Sequence, residues 1–276
     1  MPKLSIITVN LNNKAGLIDT AQSVVAQTWT DYEWLIIDGG STDGSVEVIK
    51  EYADKTDKLV YWCSEPDGGI YQGMNKGIEK ASGEYCWFLN SGDYAYKNTT
   101  LAEIFANEFD EDIIKGILIT GKKGQTYFKI WDSCFHISPC QKKLPVSDKE
   151  VRCPVYWIGE TFPHPATLTK TKIIRNAGCF DPEFKIGADY MFFMRVVIKN
   201  NVSVRYIPVS FAVFNEEGLS NDPKNFDYRK KELKRIYKKL FILPYWFYRI
   251  LYTVILGRFS FWRNTYEPIK KNREKE

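Results

Sequence analysis

Apolar positions along this chain fall first in short unbroken runs and then at helical spacing, and the two patterns alternate. Leu4 to Val9, closed by Asn10, is a continuous run of the kind a strand buried on both faces shows. Asn10 to Asn13 breaks it, and Ala15 to Gln27 then carries Leu17, Ala21, Val24 and Val25 at the spacing of a helix that packs back on a sheet. Glu33 to Asp38 is a second strand. Ser41, Thr42 and Asp43 offer helix caps after it, and Val46, Val48, Ile49 and Tyr52 line the next helix. Leu59 to Cys63, Ile70 to Lys80 and Tyr85 to Leu89 repeat the strand, helix, strand order. Alternation of this kind predicts an α/β fold built on a parallel sheet with right-handed crossovers.

A helix around Leu101 to Asn107 and a strand at Gly116 to Thr120 follow. From Lys122 to Pro163 no period survives, and a segment of that length reads as binding loops. Order returns at Ala166 to Thr169 and Lys172 to Ala177, then in a helix over Asp189 to Lys199 and a last strand at Val202 to Ile207. Phe226 to Leu240 reads as a basic helix. Phe241 to Trp262 is dense in aromatics but interrupted by Pro244, Arg249 and Arg258, so it lacks the uncharged run that a spanning helix needs.

With 276 residues, 44% of them hydrophobic, the chain can bury a full core. The expected division is a catalytic domain over 1–220 and a basic, aromatic helical tail over 221–276. The six cysteines form no CxxC pair, and Met1-Pro2-Lys3 leads straight into the first strand without a leader pattern. Reduced thiols and a cytoplasmic location are therefore expected. Charge adds one point. Residues 224–276 hold 15 Lys and Arg against 5 Asp and Glu, while the rest of the chain holds 23 against 29. A basic block of that kind faces an anionic surface or partner. Lys and Arg beside Trp and Phe suit a helix lying in a membrane interface. A protein contact, including a homodimer, is the alternative; no nucleic acid partner is expected.

The chemistry lies in three turns. Asp38-Gly39-Gly40-Ser41-Thr42-Asp43-Gly44, Glu65-Pro66-Asp67-Gly68-Gly69 and Asn90-Ser91-Gly92-Asp93 each follow an apolar run. Ligands of open α/β sheets bind outside the carboxyl ends of the strands, and carboxylates there suit a metal-bound, phosphate-containing ligand. Gly39-Gly40 with Gly44 does not make the GxGxxG of dinucleotide folds, and no GxxxxGK[ST] occurs.

Taken together, SIITVNLNN, IIDGGSTDGS, SEPDGGIYQGMNKGIEKASGEYCWFLNSGD and FDPEFKIGADYMFFMR resemble the family 2 glycosyltransferases of GT-A fold, especially those of bacterial polysaccharide assembly. The match runs in order over about residues 3 to 215. It implies that Asp38 contacts a nucleobase with Asn10 nearby, that Gly40 lets backbone approach the ligand, and that Asp67 lines the nucleotide pocket. Met74-Asn75-Lys76-Gly77 stands where relatives carry Arg-Asn-x-Gly, so Asn75 and Lys76 are implied donor contacts, Lys76 as a point charge. Asn90 to Asp93 stands at the metal motif, with Asp93 as the one carboxylate for Mn²⁺ or Mg²⁺. Asp189 matches the general base of inverting members, although by itself it also reads as a helix cap. His164 matches a segment bordering donor and acceptor. Trp131, Tyr156 and Trp157 are candidates for stacking on acceptor sugars, and His136 has only a loop reading.

The resulting expectation is an inverting, metal-dependent transfer of a sugar from a nucleoside diphosphate, UDP first among the candidates. The acceptor would be a saccharide or an undecaprenyl-type lipid-linked saccharide at the inner face of the cell membrane, in polysaccharide, capsule or lipopolysaccharide assembly. A nucleotidyltransferase and a non-catalytic sugar-nucleotide-binding or membrane scaffold protein are the alternatives.

Overall fold

Every residue of strand β1 (Leu4–Asn10) and strand β2 (Tyr32–Asp38) is buried, which is why these segments read as unbroken apolar runs. Each strand still sorts its side chains by the period of two. Ile6, Trp34, Ile36, Tyr85 and Trp87 enter one core, and Ile7, Leu35, Cys86 and Phe88 enter another on the opposite face. The computed structural model describes residues 1–121, 129–131, 162–200, 202–215, 222–241, 246–247 and 250.

The remaining elements are α1 (Lys14–Val25), α2 (Ser45–Lys55), β3 (Leu59–Ser64), α3 (Ile70–Lys80), β4 (Tyr85–Phe88), β5 (Tyr94–Ala95) and α4 (Thr100–Phe105). They continue with β6 (Ile113–Thr120), β7 (Lys129–Trp131), β8 (Thr167–Lys170), α5 (Thr171–Asn176), α6 (Ala188–Met194), β9 (Val204–Phe214) and α7 (Phe226–Leu240). Among the described residues the strands form one sheet in the order β3-β2-β1-β4-β8-β6-β9-β5, with β7 beside β6. The β3-β2-β1-β4 half is wholly parallel, as strand-helix alternation predicts. The other half is mixed: β8 runs antiparallel to β4 and β6, β5 to β9 and β7 to β6, while β9 runs parallel to β6.

Three differences from the sequence expectation bear on the site. The last strand runs to Phe214, well past Ile207. The ladder with β6 shifts register where Lys115 pairs with Tyr206 and Ile117 with Ser210. Pro208, which cannot donate to a ladder, falls within that irregularity, so the strand passes the proline instead of ending at it. The helix after Ile186 begins at Ala188 with Gly187 as its N-cap, which puts Asp189 in the first turn and not at the cap; Arg195–Lys199 continue it as a π-helical turn. Helix α2 likewise begins behind Gly44 and not at a Ser, Thr or Asp cap.

The basic helix falls where its pattern predicts, but it is no detached tail. Ile236, Tyr237 and Leu240 lie in the same core as Ala188, Met191 and Phe192. A boundary at 220 therefore precedes an element that packs into the body. Most of Lys122 to Pro163, including His136, Tyr156 and Trp157, lies outside the described residues, as do the side chain of Trp131 and most of Phe241 to Trp262. No described helix is long and apolar enough to cross a membrane.

Candidate active site

Strand register places the first cluster. Asn10 pairs with Asp38 across β1 and β2, and Asp38 pairs with Ser64 across β2 and β3. Three polar side chains thus sit in a row at the carboxyl edge of the sheet. Asn10 Nδ2 donates to Asp38 Oδ1 at 2.7 Å, Ser41 Oγ to Oδ1 at 2.5 Å and Ser64 Oγ to Oδ2 at 2.6 Å. The backbone N–H groups of Gly40 and Ser41 donate to Oδ2 at 3.1 and 2.8 Å. Burial alone would push this carboxyl up; hydrogen bonds from Ser41, Ser64 and Asn10 overcome that and hold it below its usual range. Asp38 is fully buried, so its first task is to fold the turn. Gly40, at φ 85°, brings the turn against Pro66, whose nitrogen would lie 3.0 Å from an added Cβ. Among the described residues no donor reaches Asn10 Oδ1, a buried acceptor.

Asp67 lies against this turn: its carboxyl is 3.4 Å from where a Cβ on Gly39 would stand, and its Oδ1 accepts the Gly69 N–H at 2.9 Å. Asn75 bonds away from this turn, whereas Lys76 stays at its edge. Asn75 exchanges two hydrogen bonds with the Phe180 backbone, donating at 2.8 Å and accepting at 3.0 Å, so it ties α3 to the segment before α6. Lys76 pairs with Glu65 at 2.9 Å, and that hydrogen bond raises its pKa.

A second cluster gathers around His164, in a 3₁₀ turn at His164–Ala166. Asn90 Oδ1 accepts the Val9 N–H at 3.4 Å, which turns the Asn90 amide nitrogen toward His164 Nε2 at 3.1 Å. With Nε2 accepting, the ring proton belongs on Nδ1, and Nδ1–H donates to Asp189 Oδ2 at 3.3 Å. The Tyr71 hydroxyl lies 2.9 Å from Asp189 Oδ1 and 2.6 Å from the Ile186 carbonyl, and the Tyr190 N–H donates to Oδ1 at 2.7 Å. Burial, and then the charge of Asp189, hold the Tyr71 phenol well above its usual range, so it remains a donor. Asp189 keeps 18% of its side-chain surface exposed, enough to meet a substrate.

Asp93 completes the site. It is 5% exposed and accepts the Asn215 N–H at 3.0 Å. Burial pushes its carboxyl up to about 7, partly opposed by nearby His164 and by Asn215. Among the described residues no three His, Cys, Asp or Glu side chains form a metal cage. A carboxyl whose charge burial disfavours can exchange its proton for a divalent cation whose other ligands come from a phosphate substrate. In the metal-free chain the raised pKa has a stability consequence. The unfolded chain ionises this group near pH 3.9, whereas the folded chain keeps the proton to about 7, so stability falls as pH rises between those values, by up to about 1.4 kcal/mol per pH unit. Urea unfolding with a chelator at pH 5 and pH 8 should show this loss in the wild type and little of it in Asp93→Asn. Equal losses in both would contradict the assignment.

The structure therefore joins Asn10, Asp38, Gly40 and Asp67 in one cluster and Asn90, Asp93, His164 and Asp189 in another. Ser64, Tyr71 and Asn215 were missed by the sequence reading. Register counting along β3 would have found Ser64, and a strand carried past Pro208 would have found Asn215. No sequence signal marked Tyr71.

The fold has counterparts. Residues 5–154 match the family model described as glycosyl transferase family 2. An uncharacterized glycosyltransferase of Mycobacterium tuberculosis is 29% identical over 213 residues, covering 76% of this chain and 75% of its own. A Mycobacterium bovis PGL/p-HBAD biosynthesis glycosyltransferase is 27% identical over 234 residues, covering 83% and 84%. S. aureus TarS in complex with UDP superposes at a TM-score of 0.62 with 19% identity, over 95% of this chain and 73% of that one. The Pyrobaculum calidifontis mannosyltransferase PcManGT, in complex with GDP-Man and Mn²⁺, gives 0.60 with 14% identity over 86% and 64%. The model match spans more than half of the chain: the chain belongs to glycosyl transferase family 2.

Proposed function

We propose that this glycosyltransferase takes a sugar from a nucleoside diphosphate and passes it, with inversion, to a hydroxyl of a cell-surface saccharide or lipid-linked saccharide. The observation that carries this reading is the Asp189 carboxylate, gripped by Tyr71 on one oxygen and His164 on the other, beside the polar turns of β1, β2 and β4. The Asp38 turn and Asp67 take the nucleotide. A base N–H reaches Asp38 by replacing the Ser41 or Ser64 hydroxyl. Asp189 takes the proton from the acceptor hydroxyl as that oxygen attacks the anomeric carbon opposite the leaving diphosphate. His164 Nδ1–H and the Tyr71 hydroxyl donate to opposite oxygens of Asp189 and aim it. Asp93 would hold Mn²⁺ or Mg²⁺, which when bound offsets charge on the departing diphosphate.

The M. bovis relative named for PGL/p-HBAD biosynthesis supports a surface glycolipid acceptor. Helix α7 carries Lys230, Lys231, Lys234 and Lys238 on exposed positions, and Trp246, Phe247 and Ile250 beyond it are exposed. That combination supports docking on the anionic inner face of the cell membrane. Reversing Lys230, Lys234 and Lys238 to Glu should abolish co-sedimentation with vesicles containing phosphatidylglycerol. Unchanged co-sedimentation would remove the membrane from the account.

Thermal unfolding with UDP, GDP, dTDP and CDP, each with Mn²⁺ and with a chelator, tests the donor site. A diphosphate at about 100 times its Kd stabilises by roughly 2.7 kcal/mol. One nucleotide should act strongly, and only with metal. No shift with any of the four would contradict the reading.

A further inference from the structure

Beyond the residues that meet substrate, one buried carboxylate in the C-terminal helix faces the site from behind. Glu232 on α7 is 1% exposed, yet no lysine or arginine pairs with it among the contacts the structure shows. It accepts three consecutive backbone N–H groups instead: Lys185 at 2.6 Å on Oε1, and Ile186 at 3.0 Å and Gly187 at 2.9 Å on Oε2. These N–H groups belong to the approach to α6, whose N-cap Gly187 offers no side chain to satisfy them.

The peptide between Ile186 and Gly187 is held at both ends. Its N–H goes to Glu232, and its carbonyl accepts the Tyr71 hydroxyl at 2.6 Å. Tyr71 is also the residue that meets Asp189 Oδ1 at 2.9 Å. Rotating this one peptide would move the Tyr71 hydroxyl and, two residues on, Asp189 itself. Packing brings α7 to this place: an added Cβ on Gly187 would stand 3.0 Å from Ile236 Cδ1, and Tyr237 Oη lies 3.4 Å from Tyr190 Oη. Packing by itself leaves the peptide planes unspecified, whereas a carboxylate aimed at three N–H groups fixes them.

We propose that Glu232 is the positioning residue for the Asp189 carboxylate. This rests on Asp189 being the base. The test uses the full chain and measures nucleoside diphosphate release from whichever of UDP-N-acetylglucosamine, UDP-glucose, GDP-mannose and dTDP-glucose the wild type turns over fastest. Glu232→Gln keeps the shape but turns an N–H₂ toward N–H donors. It should lower kcat about 10- to 100-fold, with KM for the donor and Kd for the free nucleotide within twofold. Lys239→Ala removes the surface ion pairs from α7 to Asp181 and Glu183 and should leave kcat within twofold. Asp189→Asn is measured alongside. If Asp189→Asn is inactive while Glu232→Gln keeps full kcat, the positioning role is wrong and the base assignment stands. If Glu232→Gln weakens donor binding as much as kcat, or Lys239→Ala matches its loss, Glu232 is merely structural. If Asp189→Asn keeps kcat, the base assignment fails and the proposal with it. Should Glu232→Gln not fold, Glu232→Asp, which keeps the charge but draws it back by one methylene from the three N–H groups, must lower kcat without changing donor KM, or the proposal is overturned.

Discussion

Asp189→Asn should lower turnover by roughly 10²- to 10⁴-fold, the usual contribution of a positioned general base, while nucleotide binding should stay within about twofold of wild type. The asymmetry follows from where the residue stands. Asp189 lies in the second cluster, with His164 on Oδ2 and Tyr71 and the Tyr190 N–H on Oδ1. The turns assigned to the nucleotide belong to β1, β2 and β3 and share no hydrogen bond with it. An asparagine keeps one acceptor for Tyr71 but places an amide N–H₂ against the donor on His164, and it cannot take a proton. Steady-state kinetics with separate titration of the nucleoside diphosphate reads both quantities. A loss of binding equal to the loss of rate would move Asp189 from chemistry to donor recognition.

Asp38→Ala has the largest expected effect on the fold and on the donor pocket together. Five donors converge on this buried carboxylate: Asn10, the hydroxyls of Ser41 and Ser64, and the N–H groups of Gly40 and Ser41. Alanine strands them, which should cost about 3–5 kcal/mol, since stranded buried donors carry their full desolvation penalty. The Gly39–Ser41 turn then loses its anchor, so nucleoside diphosphate binding should vanish as well. The cost has a pH signature. Because the folded pKa is held below the usual value, the carboxylate's contribution is complete above the unfolded value of about 3.9 and is lost as pH falls through the folded pKa. Urea midpoints for wild type and Asp38→Ala should therefore differ more at pH 7 than in strong acid. A constant difference would mean that packing, not the hydrogen-bonded charge, holds the turn.

How much of this was legible in the sequence depended on how local each signal was. Helices α3 and α7 begin and end where their patterns predict, because apolar spacing decides both and nothing distant competes. The parallel half of the sheet was legible for the same reason: β1 and β2 are buried throughout, and continuous apolar runs announce that. The mixed half was not, since the antiparallel entry of β8 beside β4 depends on pairing between residues some eighty positions apart. The expected last strand stopped at Ile207, seven residues short of Phe214, and so missed Asn215. The carboxylates Asp38, Asp67, Asp93 and Asp189 and the imidazole of His164 were visible as residue types in motif context. Their partners were not: Tyr71 and Glu232 act through hydroxyl and carboxylate contacts that only the packing of α3 and α7 against the 180–190 segment creates. Asn75 illustrates the reverse case. Its motif position implied a donor contact, and the structure gives its amide to the Phe180 backbone.

In the proposed reaction a sugar leaves a nucleoside diphosphate at the Asp189 carboxylate. Phosphorus NMR of the nucleotide released from the sugar donor that the full chain consumes, in Mn²⁺ and with Asp189→Asn in parallel, tests it most directly. The account predicts one nucleoside diphosphate per donor consumed, with release suppressed by Asp189→Asn. Nucleoside monophosphate or pyrophosphate as the product, or diphosphate release undiminished in Asp189→Asn, would contradict it.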